Sequence, residues 1–176
     1  KKTRDHDNKI AELGAPLAAK LAKTLENGLR SGEIIKDDLF HPRYEPIADT
    51  DPQQFMTPYI AFTDRNFTPL QEEILAKDKH IVFAAGVDFN GFLPTHNKVY
   101  SQPQRPGEPA WNMGNCRNRR IFDDRAGLMA ARNTKSKLLQ TYFRDMGSEV
   151  VFMKECDIPI VVNGEQWGNL RIGYRA

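Results

Sequence analysis

The chain has 176 residues, 40% of them hydrophobic and 27% charged, enough for one ordinary core and unlike a disordered tail or a disulfide-dense miniprotein. Twenty-five Lys and Arg against 23 Asp and Glu leave a formal charge of +2. That balance does not fit a protein that holds nucleic acid by neutralising phosphates, so no nucleic-acid partner is expected. Cys116 and Cys156 lie far apart outside any C-x-x-C pattern, which indicates neither a zinc site nor a disulfide framework and leaves the redox compartment open. No run approaches the roughly 18 to 20 apolar residues of a membrane span. The start, Lys1 to Asp7, is not a signal peptide. The segment is therefore not expected to insert in a membrane, and its lack of an initial Met suggests a piece of something longer.

Ile10, Leu13, Leu17, Leu21, Leu25 and Leu29 recur at intervals of three or four among Lys, Glu and Asn, the stripe of an amphipathic helix. Gly14 and Pro16 weaken its first turn, and Gly28 or Ser31-Gly32 can stop it. Residues 37–51 contain His41-Pro42 and Glu45-Pro46 and run into Asp51-Pro52, so they read as an extended connector. Thr50-Asp51-Pro52 has the form of a capped helix start, predicting a second helix to Lys77 with a kink near Pro69. From His80 to Asp88 the texture turns β-branched and aromatic, a buried strand. Asn90-Gly91 then predicts a hairpin returning through residues 92–96. Residues 97–115 should be mostly loop and 116–139 short helices. Leu139 to Asp145, Val150 to Val162 and Gln166 to Tyr174, separated by two Gly-containing turns, predict a three-stranded meander. The sum is an α+β domain with a five-stranded antiparallel sheet, long N-terminal helices, and short helices between strands two and three. Residues 1–78 form the N-terminal helical segment packing on the sheet, and residues 79–176 the sheet core, one structural domain overall.

The stretch Val87 to His96, with its Asp-x-x-Gly turn, and the last two strands from Ile158 to Tyr174 resemble the PAS and Cache sensor folds, in which such a sheet cups a small ligand against helices. Residues 49–54, 94–97, Asn115 to Arg120 through Asp123-Asp124-Arg125, and Gln140-Thr141-Tyr142 with Arg144-Asp145-Met146 are similar to a sensory segment at the C-terminal end of some bacterial methyl-accepting chemotaxis proteins. The resemblance implies a cytoplasmic sensory role beside the signalling helices of a parent chemoreceptor, although most Cache modules lie outside the membrane. It supplies no ligand and no binding residue.

Between Arg105 and Lys137 stand eight basic residues against three acidic ones, Glu108, Asp123 and Asp124. Guanidinium groups bind carboxylate or phosphate through paired hydrogen bonds, so Arg119 and Arg125 are candidate anion contacts. Alternatively Arg117, Arg119, Arg120 and Arg125 pair with local carboxylates and fix the loop. Alternation places Tyr142 and Arg144 on one face of a strand, where with Lys154 they would read a ligand or else face solvent as cross-strand partners. Met153 is an apolar wall or a core residue. Trp167 reads as core, and Trp111, in a Pro-rich loop, as a lid or a loop anchor. His96 is a candidate ligand contact, and His96 or Cys116 a haem ligand to be weighed against a hydrogen-bonded structural role. No cofactor is expected. Cys116 lacks a positioned base, the nucleotide and hydrolase motifs are missing, and the adjacent Asp123-Asp124 cannot easily share a substrate, so no enzyme is expected. The reading is a ligand-sensing chemoreceptor domain for a small anionic metabolite, expected as a homodimer because the leucine stripe can also pair with its copy. A ligand-free dimerisation module and a haem-based gas or redox sensor are the alternatives.

Overall fold

A computed structural model describes residues 2–175, with the side chain of Lys2 excepted. Helix α1 (Lys2–Ser31) is longer than its apolar stripe and carries Pro16 within it. Ile10, Leu17, Leu21 and Leu25 are all buried in the main core cluster, with Ile158, Ile160, Leu170 and Ile172 of the sheet. The stripe is therefore occupied by the chain's own sheet. The helix ends at Ser31-Gly32, not at Gly28: Gly32 has φ 78°, and the Ile34 N–H reaches back to the Gly28 carbonyl at 3.3 Å, a glycine-closed helix end. Gly28 lies inside the helix against the Phe62 ring.

The expected connector contains a short helix, α2 (Lys36–Phe40). Strand β1 (Glu45–Pro46) pairs antiparallel with β2 (Phe55–Met56). The helix expected from Asp51 begins only at Ile60. Thr50 caps a loop instead: its hydroxyl donates to the Ile47 carbonyl at 2.8 Å and accepts the Gln54 N–H at 2.9 Å. Helix α3 (Ile60–Leu75) comes after Pro58 and contains Pro69.

Strand β3 (Ile81–Asp88) runs into the Asn90-Gly91 turn, and the chain then forms β4 (Phe92–Leu93). The turn is present, but the expected hairpin ladder is not. β4 pairs with β5 (Arg120–Ile121), because the open edge of β3 is taken by side chains. The Asn97 Oδ1 accepts the Ala84 N–H at 2.8 Å and the Gln71 Oε1 accepts the Gly86 N–H at 2.8 Å. Buried strand N–H groups need partners, and here two amides supply them. Asp88 closes the turn by accepting the N–H groups of Asn90 and Phe92, both at 2.9 Å.

Between the strands the expected loop holds a 3-10 turn at Lys98–Tyr100 and helix α4 (Pro109–Asn115). Helix α5 (Arg125–Ala131) is capped by the Asp124 carboxylate, which accepts the Gly127 N–H at 3.3 Å. The meander appears as expected, as β6 (Leu138–Asp145), β7 (Val150–Val162) and β8 (Glu165–Tyr174). The fold is mixed α+β, with a main antiparallel sheet of four strands in the order β3-β8-β7-β6 and two short ladders beside it. The second strand of the expected five lies outside that sheet, since Asn97 and Gln71 hold the β3 edge it would need. Among the described residues no helix is long and apolar enough to cross a membrane.

Candidate functional site

The strand registers fix which side chains share a face. Tyr142 pairs with Met153, Gln140 with Glu155, Asp157 with Arg171, and Glu155 and Phe83 both with Gly173. Directly paired residues point the same way and alternate residues share a side, so Phe83, Tyr142, Arg144, Glu155, Asp157 and Arg171 lie on one face. The opposite face carries Cys156, Ile158 and Ile172 against α1. Lys154 belongs to that opposite face. Its ammonium donates to the Asp7 carboxylate of α1 at 2.6 Å, so it ties helix to sheet and is not a pocket residue.

Over the polar face lies a cavity of about 290 Å³, walled by Phe83, Tyr142, Arg144 and Arg171 from the sheet and by Leu93, His96, Arg117, Arg120, Ile121 and Phe122 from the segments around β4 and β5. Asp123, Asp124 and Asp145 also line it, all three exposed at its mouth. The sequence builds the second wall through a few fixed points. Asn97 holds the chain beside His96 by donating to the Gln71 carbonyl at 3.1 Å and to the Glu72 carboxylate at 3.0 Å. The Arg117 N–H donates to the Tyr100 carbonyl at 2.7 Å. Arg119 has φ 61°, and this reversal turns its own side chain outward while Arg117 and Arg120 point in.

The cavity is lined by donors. Arg144 is 3% exposed, and its guanidinium lies between the rings of Phe83 and Tyr100, 4.6 and 4.5 Å from their centroids. Its Nη2 is buried without a hydrogen-bond partner. Arg117, 8% exposed, donates from Nη1 only to the carbonyls of Met113 and Asp145, at 2.8 and 2.9 Å. Arg120 reaches the Met113 carbonyl at 3.4 Å and lies over Phe122. Among the described residues none of these three arginines has a carboxylate within 4.0 Å, whereas Arg171 is held by Glu155 through two bonds of 3.0 and 2.9 Å. Burial, then the charges of Arg144 and Arg120, lowers the Arg117 pKa to about 9. Burial, offset by Asp145 and reinforced by Arg144, lowers Arg120 to about 10. Burial would lower Arg171 too, but Glu155, Tyr142 and Asp157 outweigh it and raise its pKa. Beneath the arginines, burial and the neighbouring Glu155 raise the Asp157 carboxyl well above the usual carboxylate range.

His96 is 2% exposed. Burial, followed by Arg144, Arg117, Arg171 and Arg120, pushes its pKa well below the ordinary imidazole value. Its Nδ1 accepts the Asn97 N–H at 2.7 Å, which assigns the proton of the neutral ring to Nε2. The unfolded chain protonates His96 near pH 6.5 while the folded one does not, so stability is complete above that pH and falls as pH drops below it, by up to about 1.4 kcal/mol per unit for one group. Asp88, raised to about 6 by burial, acts in the opposite direction. Comparing urea midpoints of the native chain and His96→Gln from pH 7 to 5 isolates the histidine: the variant should lose less stability on acidification, and parallel curves would mean that His96 is protonated in the fold.

Of the expected contacts, His96, Tyr142 and Arg144 come together here. Arg119 instead pairs with Asp64 at 2.7 Å. Arg125, at the start of α5, is exposed and does not line the cavity. Trp111 lies under the Arg105 guanidinium, 3.7 Å from its ring, and closes no lid over the cavity. Met153 is buried without reaching the cavity, and Trp167 is core. Arg117 and Arg120 belong to the basic block, but nothing in the sequence singles them out as the inward pair. Arg171 is a cavity residue that the sequence reading misses, although its alternation with Asn169 and Gly173 in the last strand carries the signal. Cys116 is buried, does not line the cavity and has a pKa raised by burial, the state of an inert thiol.

Among the described residues one cluster has metal-ligand chemistry. His6, Asp78 and His80 offer ligand atoms within 4.8 Å of one another. The Asp78 carboxylate already accepts from His6 at 3.2 Å, from Lys9 at 3.2 Å and from the ring and backbone of His80 at 3.1 and 2.8 Å. These bonds hold its pKa far below the usual carboxylate range against the opposing effect of burial. With a lysine among its donors, the cluster acts as a pin between α1 and the start of β3. Comparison of the chain with protein-family models finds no match, and comparison with curated proteins finds none either.

Proposed function

We propose that the chain is a ligand-sensing domain whose cavity binds a small anionic metabolite, and that it serves a chemoreceptor by relaying occupancy to attached signalling helices. The observation that carries the binding half is the buried Arg144 guanidinium, its Nη2 unpartnered, in the wall of a cavity shared with two further arginines that have no carboxylate within reach among the described residues. A buried cation without a counter-charge is costly, and an incoming anion supplies what is missing. Tyr142 and the Nε2–H of His96 add neutral donors. The chemoreceptor half, the PAS/Cache-like reading and the cytoplasmic location rest on the sequence resemblance. In that reading the β4–β5 ladder stands in for the fifth strand. A homodimer stays part of the proposal, although the leucine stripe that suggested it is covered by the chain's own sheet.

Signal output depends on where the polar face sits. β7 carries Glu155 beneath the cavity and, on its other side, Cys156 and Ile158 against α1, so a shift of the strand on binding reaches the long helix directly. A ligand moves such an equilibrium only by its differential affinity for the two packings. The test is a thermal-shift screen against organic acids, phosphates and nucleotides, since a ligand of the native state raises its midpoint. A hit should disappear in Arg144→Ala and persist in Arg125→Ala, whose side chain lies outside the cavity. A protein that responds to no anion, or a hit that Arg144→Ala leaves intact, would end the proposal in favour of a ligand-free interaction module.

A further inference from the structure

The charges around the cavity are graded with depth. Arg171 is neutralised by Glu155. Arg120, the least buried of the arginines, is only half-buried. Among the described residues that leaves two buried guanidiniums, Arg117 and Arg144, without a carboxylate, and Arg144 with a nitrogen that has no hydrogen-bond partner. The mouth is the reverse: Asp123, Asp124 and Asp145 are exposed carboxylates. A ligand that balances the floor needs two negative charges, and a third would meet the acidic rim. Between the charged groups the wall is apolar, from Leu93, Ile121 and Phe122. The volume of about 290 Å³ is at the small end for ligand pockets and holds on the order of ten water-sized groups.

We infer that the ligand is a compact dianion, a short dicarboxylate or a small phosphate monoester, selected over monoanions by the paired buried arginines and over trianions by the carboxylates at the mouth. This rests on the anion-sensor reading and narrows it. The two donors of neutral charge, His96 Nε2–H and the Tyr142 hydroxyl, suit either source of the dianion, because carboxylate and phosphate oxygens both accept.

The experiment is isothermal titration calorimetry on the purified chain at constant ionic strength and pH 8, where a phosphate monoester carries nearly two charges. The probes are propionate, succinate and tricarballylate, which differ in carboxylate number, with methyl phosphate as a separate arm. Succinate or methyl phosphate should bind at least about tenfold more tightly than both propionate and tricarballylate, and whichever is tighter identifies the source. Arg144→Met should weaken that probe by a further factor of about ten or more, with part of the affinity restored in Arg144→Lys. Equal binding of propionate, or tighter binding of tricarballylate, overturns the dianion rule and leaves the anion sensor standing. No binding of any probe at millimolar concentration overturns both. The comparison on the unmodified chain decides the charge rule even if a variant fails to fold.

Discussion

Glu155→Ala should destabilise the fold by about 3–5 kcal/mol, the range for removing one partner of a buried ion pair. The variant leaves the Arg171 guanidinium, 6% exposed, facing Arg117 and Arg144 without its two bonds to carboxylate. A relief mechanism is built in. Asp157 pairs directly with Arg171 across the strands, and burial and the charge of Glu155 raise its pKa, so removing that charge favours its carboxylate form and lets Asp157 partly take the place of Glu155. The loss should therefore lie at the lower end of the range near pH 7, and Glu155→Ala with Asp157→Asn together should cost more than the sum of the two alone. Such non-additivity is expected of groups in one network. Urea unfolding reads it as a fall in midpoint at unchanged slope. A cost under about 1 kcal/mol, the size of an exposed pair, would show that Arg171 is solvated rather than held in the floor of the cavity.

What the sequence reveals of this fold divides by the range of the interactions involved. The meander is legible because its turns are local: Gly147 and Gly164 have φ 82° and 81°, conformations that glycine adopts freely, and the strands between them alternate. The leucine stripe is legible for the same reason. The hairpin after β3 is not, because its outcome is decided by Gln71 and Asn97, which occupy the β3 edge from elsewhere in the chain. An Asn-Gly turn fixes a reversal but not which strand the returning segment joins. The helix expected at Asp51 fails in the same manner, since Thr50 caps a loop as readily as a helix.

At the site the legible and illegible parts are interleaved. Tyr142 and Arg144 share a face by period two, and the phase of that face is what the sequence withholds. Lys154 is the consequence, one residue out of phase with Glu155 and so on the helix side. The basic block looks uniform in sequence, yet the positive φ of Arg119 splits it into two inward arginines and an outward one paired with Asp64. Arg125 is set outward by the cap that Asp124 gives to α5. In each case the composition of the segment is informative and the direction of the side chain depends on a backbone event that composition does not encode.

Arg144→Met should raise the stability of the unliganded domain by about 1 kcal/mol. The substitution keeps an unbranched side chain while removing a buried donor without a partner, whose desolvation costs ~1–3 kcal/mol. Against that stands the loss of cation–π attraction to Phe83 and Tyr100, about 0.5–2 kcal/mol for each ring, which relief of repulsion with Arg117 and Arg120 offsets. The thermal midpoint should rise by about 2–4 °C for a chain of this size. In the presence of an anion at a hundred times its Kd the order reverses, because the native chain then gains about 2.7 kcal/mol that the variant cannot. Scanning calorimetry of both proteins with and without the anion reads the two curves crossing. A side chain that lowers stability when empty and raises it when occupied is there for its ligand. Destabilisation of the empty variant by several kcal/mol would instead make Arg144 a bridge between β6 and β3, and the cavity a by-product of how that bridge packs.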